Sequence, residues 1–312
     1  MFSYRKKTLL LSQYKFKQIK KDRVLYFMLI IPITQIIIFR YIPIAGLYIS
    51  FVDFDIVNGI FSSPFVGLKW FIQLFSGSNF MLLLKNSLIL SLYTIMFTFF
   101  APIILSISLN ELTSKKFRRL AQTISYLPYF ISTVVVVGMM TQLLSPSSGY
   151  INRIIESLGF SSVYFMNDSK WFRTLYVLSD IWQNSGWTAI IYLAAITSIS
   201  EDLYEAAAID GAKRLQRIWY ITLRGMMPTI LILLLLKVGQ FMELGYEKVL
   251  LMYSPQTYDV ADIFDTFVYR RGILDMDYSF ATTVGLFKAL VSFALVVTAN
   301  KISNKLADIG LW

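Results

Sequence analysis

The stretch that decides the fold is Leu84–Leu109, LKNSLILSLYTIMFTFFAPIILSISL, in which Lys85 is the only charged residue. A helix needs about 20 mostly apolar residues to cross the hydrocarbon core of a bilayer, so this run predicts a membrane-spanning helix. Its apolar residues are continuous rather than alternating, which excludes the strands of a membrane barrel.

Five further runs share this character and predict spans of similar length. They are Val24–Ser50, Leu120–Leu144, Trp171–Ile199, Gly225–Gly245 and Ser279–Ala299. The composition agrees, because 56% of the 312 residues are apolar and only 15% are charged, which is unlike a soluble domain. We predict an all-α polytopic membrane protein with one six-helix transmembrane domain, residues 24–312, after a basic segment, residues 1–23.

The basic residues predict the orientation of the spans. Eighteen of the 29 lysines and arginines fall in segments 1–23, 110–119, 200–224 and 300–312, and six fall in loops 51–83, 145–170 and 246–278. The positive-inside rule therefore predicts that both termini and Lys213 are cytoplasmic and that the other three loops, with Asp265, are extracytoplasmic. Loop 246–278 is acidic and is expected to be the largest outer surface. Tyr4–Lys21 fits an interfacial helix and a disordered basic tail equally well.

The chain has no histidine and no cysteine, which removes most catalytic and metal-binding chemistry. Serine and cysteine triads, zinc sites of the usual kinds and His-ligated haem are excluded, and no metal site is predicted. No G-x-x-x-x-G-K-[ST] phosphate loop is present, so ATP would have to be handled by a partner. The net charge of +10 indicates loops facing anionic membrane lipid rather than a nucleic acid.

Polar residues inside the predicted spans are costly and indicate a bundle interior or a water-filled path. Helical spacing places Asp180 and Asn184 on one face of the fourth span. The residues predicted to form a substrate path are Asp180, Gln183, Asn184, Trp187, Gln240 and Glu243. Carboxylates and amides bind sugar hydroxyls while aromatic rings cover the C–H faces of a sugar. Alternatively these groups only join neighbouring helices, in which case Asp180 would pair with Lys237 or Lys288.

The predicted loop 200–224 has a helix, a glycine bend and a second helix. Ser198-Ile-Ser-Glu201 is a capping-box pattern, Gly211 can end the first helix in a left-handed conformation, and Ala212–Leu223 is amphipathic. From these features alone, the loop could lie on the lipid or dock on another protein.

The order of residues in this loop resembles a known family. Glu205-Ala-Ala-Ala-Ile-Asp-Gly211-Ala, with Ile221-Thr-Leu223 following, is similar to the Glu-Ala-Ala…Gly…Ile-x-Leu-Pro loop of ABC importer permeases, although Arg224 replaces the usual proline. The similarity extends over nearly the whole chain to the LplB-like polysaccharide permeases, a branch of the type I sugar permeases related to the maltose permeases. It is carried by Arg40-Tyr-Ile-Pro43, Phe51-Val-Asp-Phe54, Gly67-Leu-Lys-Trp70, Asn110-Glu111, Gln122–Pro128 and Tyr258–Asp262.

The resemblance implies a subunit of a type I (MetI-like) importer in a bacterial cell membrane. It implies four kinds of partner: a second permease, two copies of an ABC ATPase that bind ATP and Mg²⁺, an extracytoplasmic solute-binding protein, and a carbohydrate substrate. By the same resemblance this chain binds no cofactor, and Glu205, Ala206, Ala207, Asp210 and Gly211 couple it to the ATPase.

We therefore expect a transport subunit, not an enzyme, that imports an oligosaccharide or polysaccharide fragment by alternating access. One alternative is a permease for another polar solute, because the loop is shared by importers of many solutes. Another is a membrane-embedded transferase that uses Asp180 or Glu243 as an acid or base, although such an enzyme needs no ATPase-docking loop. A receptor or scaffold would leave the charged groups in the spans unexplained.

Overall fold

A computed structural model describes residues 21–307 and 309–311 of the chain, and it divides into two compact units, Met1–Leu68 and Lys69–Trp312. Most of the predicted basic segment 1–23 lies outside the described residues. Over the described ranges the chain is helical without strands, apart from one isolated bridge between Val52 and Phe65. The predicted all-α class is confirmed.

The first unit contains one long helical segment. Helix α1, Arg23–Ile36, continues through a π-helical stretch, Ile37–Tyr41, into a 3-10 stretch, Ile42–Phe51. The whole of Arg23–Phe51 is long and apolar enough to cross a membrane.

The second unit is built from twelve helices over the residues that the structure describes. They are α2 Lys69–Ser76, α3 Phe80–Asn110, α4 Lys115–Tyr126, α5 Thr133–Leu143, α6 Tyr150–Ser157, α7 Ser169–Thr197, α8 Glu201–Ile209, α9 Arg214–Gly239, α10 Tyr246–Met252, α11 Tyr258–Ala261, α12 Phe264–Tyr269 and α13 Tyr278–Ala307. Helix α9 contains a π-helical turn at Ile218–Thr222.

Among the described residues, four helices are long and apolar enough to span a membrane, and the α4–α5 pair would make a fifth. The four are the first unit's helix, α3, α9 and α13. Helix α7, the predicted fourth span, is 29 residues long but carries Lys170, Arg173 and Asp180.

The third predicted span, Leu120–Leu144, is wrong as one continuous helix. Helix α4 ends at Tyr126, a 3-10 turn follows, and α5 leaves at an angle of 102° to α4. Pro128 lies in the turn, where it cannot donate a backbone hydrogen bond. Ser132 then caps α5, because its Oγ accepts a hydrogen bond from the backbone N–H of Val135 at 3.4 Å.

The fifth predicted span, Gly225–Gly245, is wrong at both ends. Helix α9 already begins at Arg214 and it stops at Gly239. The next six residues, Gln240–Gly245, are not helical, and we call them the break. The break ends at Gly245, whose φ of +70° suits a residue without a Cβ, and α10 begins directly after it.

Among the described helices, α3 and α7 make the most extensive contact with each other. At Gly186 of α7 the backbone of Ser125 in α4 comes so close that a Cβ would collide with it. A second contact region joins α3, α7 and α9 through Phe99, Tyr192 and Met226.

The acidic loop 246–278 is the segment that the sequence predicts to be the largest outer surface. It folds into α10, α11 and α12, and Val249, Ile263 and Phe264 are fully buried. Val249 and Ile263 pack in one cluster with Leu90 of α3 and Val177 of α7, and the ring of Phe264 packs against Phe80 of α3.

Candidate functional site

Four of the six residues predicted for a substrate path line one cavity of about 340 Å³ in the second unit. Asp180 and Asn184 reach it from α7, and Gln240 and Glu243 reach it from the break after α9. Ser91, Thr94 and Ile95 of α3 also line it. The predicted spacing on α7 is visible as a hydrogen bond, because Asn184 Nδ2 donates to Asp180 Oδ1 at 2.8 Å.

The cation next to Asp180 is Lys248, which sequence reasoning had placed in an outer loop. Its Nζ lies 3.6 Å from Asp180 Oδ1 and donates to the backbone oxygen of Tyr176 at 3.2 Å. Only 8% of the Lys248 side chain is exposed, so Asp180 is the charge that compensates it.

The pairing of Asp180 with Lys237 or Lys288, predicted for the alternative in which the polar groups only join helices, is therefore wrong. Lys237 lines the cavity but donates to Thr98 Oγ1 at 2.6 Å, and Lys288 forms an ion pair with Asp265. The break turns the chain back toward α7, and this reversal carries Lys248 to Asp180. No periodicity in the sequence signals such a reversal.

The other two predicted path residues lie elsewhere, at the bend between α4 and α5. Gln183 Nε2 donates to the backbone oxygen of Ile131 at 2.8 Å. The ring of Trp187 stacks on Tyr129 with centroids 4.6 Å apart and planes 6° apart. Both side chains pack against the bend between α4 and α5, which the sequence predicted to be part of one continuous span.

The predicted loop 200–224 forms the expected helix, bend and helix. Helix α8 is capped by Ser200, whose Oγ accepts from the Asp202 N–H at 3.3 Å, rather than by Ser198 of the predicted capping box. Ser198 is instead the residue that ends α7. Gly211 has the predicted left-handed conformation, with φ of +77°.

The residues predicted to couple the loop to a partner lie at the surface of the subunit. Glu205, Ala206, Asp210 and Gly211 are exposed, and Ala207 is partly buried. Beside the bend, Ile209 is 87% exposed and Leu215 is 78% exposed. Apolar side chains this exposed on both sides of a turn favour contact with another surface.

The loop is fixed to the end of α3 by an ion pair. Arg214 Nε lies 2.5 Å from Glu111 Oε2, and Arg214 Nη2 donates to the Glu111 backbone oxygen at 2.9 Å. A hydrogen bond of 2.9 Å between Tyr204 and Thr222 joins α8 to α9. A groove of about 600 Å³ lies between these elements.

The segment after α10 is held by a buried carboxylate. Asp262 accepts hydrogen bonds from Arg270 at 2.9 and 2.6 Å and from Thr266 Oγ1 at 2.8 Å. Burial alone would lower the pKa of Arg270, but the hydrogen bonds to Asp262 and Tyr253 and the charge of Asp262 raise it above its ordinary value. Within residues 21–307 and 309–311, no group of three His, Cys, Asp or Glu side chains could hold a metal ion.

Residues 98–306 match the family described as binding-protein-dependent transport system inner membrane component. The chain is 41% identical to the polygalacturonan/rhamnogalacturonan transport system permease protein YteP of Bacillus subtilis strain 168, over 94% of this chain and 91% of that protein. It is 40% identical to Protein LplB of the same strain, over 94% of this chain and 92% of LplB.

A solved structure is also similar along the whole subunit. It is a chain from a bacterial alginate ABC transporter, crystallised in complex with an alginate pentasaccharide-bound periplasmic protein. The TM-score is 0.87 and the identity 40%, over 95% of this chain and 99% of that chain.

Proposed function

The chain belongs to the family of binding-protein-dependent transport system inner membrane components. From that membership we infer how loop 200–224 and the cavity beside Asp180 serve transport. It is a multi-pass membrane permease subunit of an ABC importer for sugars, and not an enzyme in its own right. The relatives named as permeases also argue against a membrane-embedded transferase.

The substrate that we propose is an oligosaccharide released from a polysaccharide such as polygalacturonan, rhamnogalacturonan or alginate. The observation that carries this proposal is the cavity, where Asp180, Asn184, Gln240 and Glu243 come together from two segments about 60 residues apart. These groups offer acceptors and amide donors to sugar hydroxyls. A permease for another polar solute could use the same polar groups, and the sugar-importing relatives and the alginate transporter structure favour sugar.

We propose that loop 200–224 docks on an ABC ATPase that binds ATP and Mg²⁺, in two copies, while a second permease completes the pore. The exposed apolar pair Ile209 and Leu215 supports docking on protein, and the Arg214 contact with Glu111 gives movement of the loop a direct connection to α3. In this arrangement the loop and both termini are cytoplasmic, and the membrane is the bacterial cell membrane. ATP hydrolysis then switches the cavity between outward and inward access.

A solute-binding protein delivers the oligosaccharide, as the periplasmic protein in the alginate transporter complex indicates. The experiment is uptake of labelled oligogalacturonides, alginate oligosaccharides and maltose by cells with and without the chain, expressed with its neighbouring transport genes. Loss of uptake of one acidic oligosaccharide, with maltose unaffected, would support the proposal. Unchanged uptake of all three, with loss of an unrelated polar solute, would refute the sugar assignment.

The coupling role is tested separately in the purified complex. Glu205→Arg reverses a charge on exposed α8, and Gly211→Leu forces a branched side chain into a left-handed conformation. Both variants should insert normally and lose ATP-driven uptake. Wild-type uptake in both would show that this loop does not couple the subunits.

A further inference from the structure

The break Gln240–Gly245 carries two of the four cavity residues, yet it has no helix to hold it. Non-helical backbone at membrane depth is stable only where other parts of the protein satisfy its polar groups. At Leu244 both backbone groups are satisfied from outside the break. The Tyr176 hydroxyl donates to the Leu244 carbonyl oxygen, and the Leu244 N–H donates to Asp265 Oδ2 at 3.2 Å.

Asp265 is itself held by a third element. Its other carboxylate oxygen, Oδ1, pairs with Lys288 Nζ of α13, and the two side chains are only 17% and 12% exposed. The carboxylate thus bridges the backbone of the break and a charge on the last long helix. A buried ion pair is costly to desolvate, so it contributes little net stability to the fold. The pair of Asp265 and Lys288 has a second consequence, because it orients the carboxylate that accepts from the Leu244 N–H.

We propose that Asp265, oriented by Lys288, is a positioning residue that fixes the backbone of the break so that Gln240 and Glu243 face Asp180 across the cavity. Leu244 adjoins Glu243 in sequence, so a displacement of the Leu244 N–H moves the neighbouring side chain with it. Neither Lys288 nor the α13 segment around it lines the cavity. This inference rests on the proposed function of the cavity in transport.

Two double variants of similar side-chain size differ in whether position 265 can accept the Leu244 hydrogen bond. Asp265→Asn with Lys288→Met removes the ion pair but keeps an amide oxygen at the same place. Asp265→Leu with Lys288→Met removes the ion pair and the acceptor, with nearly the same side-chain size. If only the ion pair mattered, the two variants would behave alike.

The expected result is that both variants reach the membrane in similar amounts, that the asparagine variant keeps uptake within about threefold of wild type, and that the leucine variant loses about tenfold or more. Equal uptake per inserted molecule in the two variants would overturn the proposal.

A second measurement reads the position of the break directly. Because the chain has no cysteine, a single cysteine at exposed Glu247, two residues after the break, can carry a spin label. The label should become more mobile in the leucine variant than in the asparagine variant. Tyr176→Phe removes the other anchor of Leu244 without touching the ion pair and should raise mobility too. Unchanged mobility in both the leucine variant and Tyr176→Phe would refute a positioning role.

The two readouts separate this inference from the proposed function. If the label reports a loosened break while changes at Asp180 and Gln240 leave uptake intact, Asp265 positions the break but the cavity is not the sugar path. If uptake depends on Asp180 and Gln240 while the label never moves, the cavity function stands and the positioning role fails.

Discussion

Replacing Asp180 by asparagine is the change that best separates a transport role from a packing role. The substitution keeps the shape of the side chain and the contact with Asn184, but it removes the charge that lies 3.6 Å from Lys248. Breaking a buried pair by removing one partner typically costs about 3–5 kcal/mol, because the remaining charge is left uncompensated. Asp180 is 21% exposed, so we expect a cost near the lower end of that range.

The single variant should therefore be present in the membrane at a reduced level. Changing Lys248 to methionine in the same chain removes the uncompensated charge and should restore the level. If Asp180 also binds substrate, the double variant should still take up oligosaccharide about 5- to 100-fold more slowly. A sugar hydroxyl that donates to the carboxylate oxygen replaced by the amide NH2 loses its acceptor, which costs about 1–3 kcal/mol, and 1.4 kcal/mol is a factor of ten.

The assay compares uptake per molecule in the membrane, by quantitative immunoblot and labelled oligosaccharide. Asp275→Asn is the matched control, because Asp275 belongs to an ion pair with Arg271 in which both side chains are at least one-third exposed, and such pairs contribute little. It should change neither level nor uptake. Full uptake by the Asp180→Asn, Lys248→Met double variant would show that Asp180 serves only to compensate Lys248.

Further predictions concern the contacts of Gly186 and Trp187 and the orientation of the chain in the membrane. Gly186→Ala should lower the amount of protein in the membrane, because the added Cβ collides with the backbone of Ser125 and overpacking costs about 1–3 kcal/mol. Gly138→Ala is the control, because the space around Gly138 is open. Equal membrane levels of the two variants would contradict the close contact at Gly186. Trp187→Ala should lower the amount without lowering uptake per inserted molecule, and a selective loss of uptake would return Trp187 to the substrate path. An impermeant thiol reagent should label a cysteine at Asp275 and not at Lys213 in intact cells, and the reverse pattern would invert the predicted orientation.

The sequence alone determined the features that depend on short stretches of chain. Runs of about 20 apolar residues identified α3 and α13 near their observed positions and α9 with both ends misplaced, because a helix must present apolar side chains all along its length to lipid and neighbours. The left-handed turn at Gly211 was equally readable, since φ above zero favours a residue without a Cβ. The order of residues around that turn was enough to identify the family.

Only the tertiary structure decided which charges meet. Asp180 pairs with Lys248 and Lys288 with Asp265, and each pairing depends on where the break and the folded loop return the chain. The sequence did not predict the bend at Pro128 or the end of α9 at Gly239. Hydropathy is averaged over a window of residues, so it does not show where the backbone stops being helical. Contacts between residues far apart in sequence carry no local periodicity, so the geometry of the cavity follows from the fold.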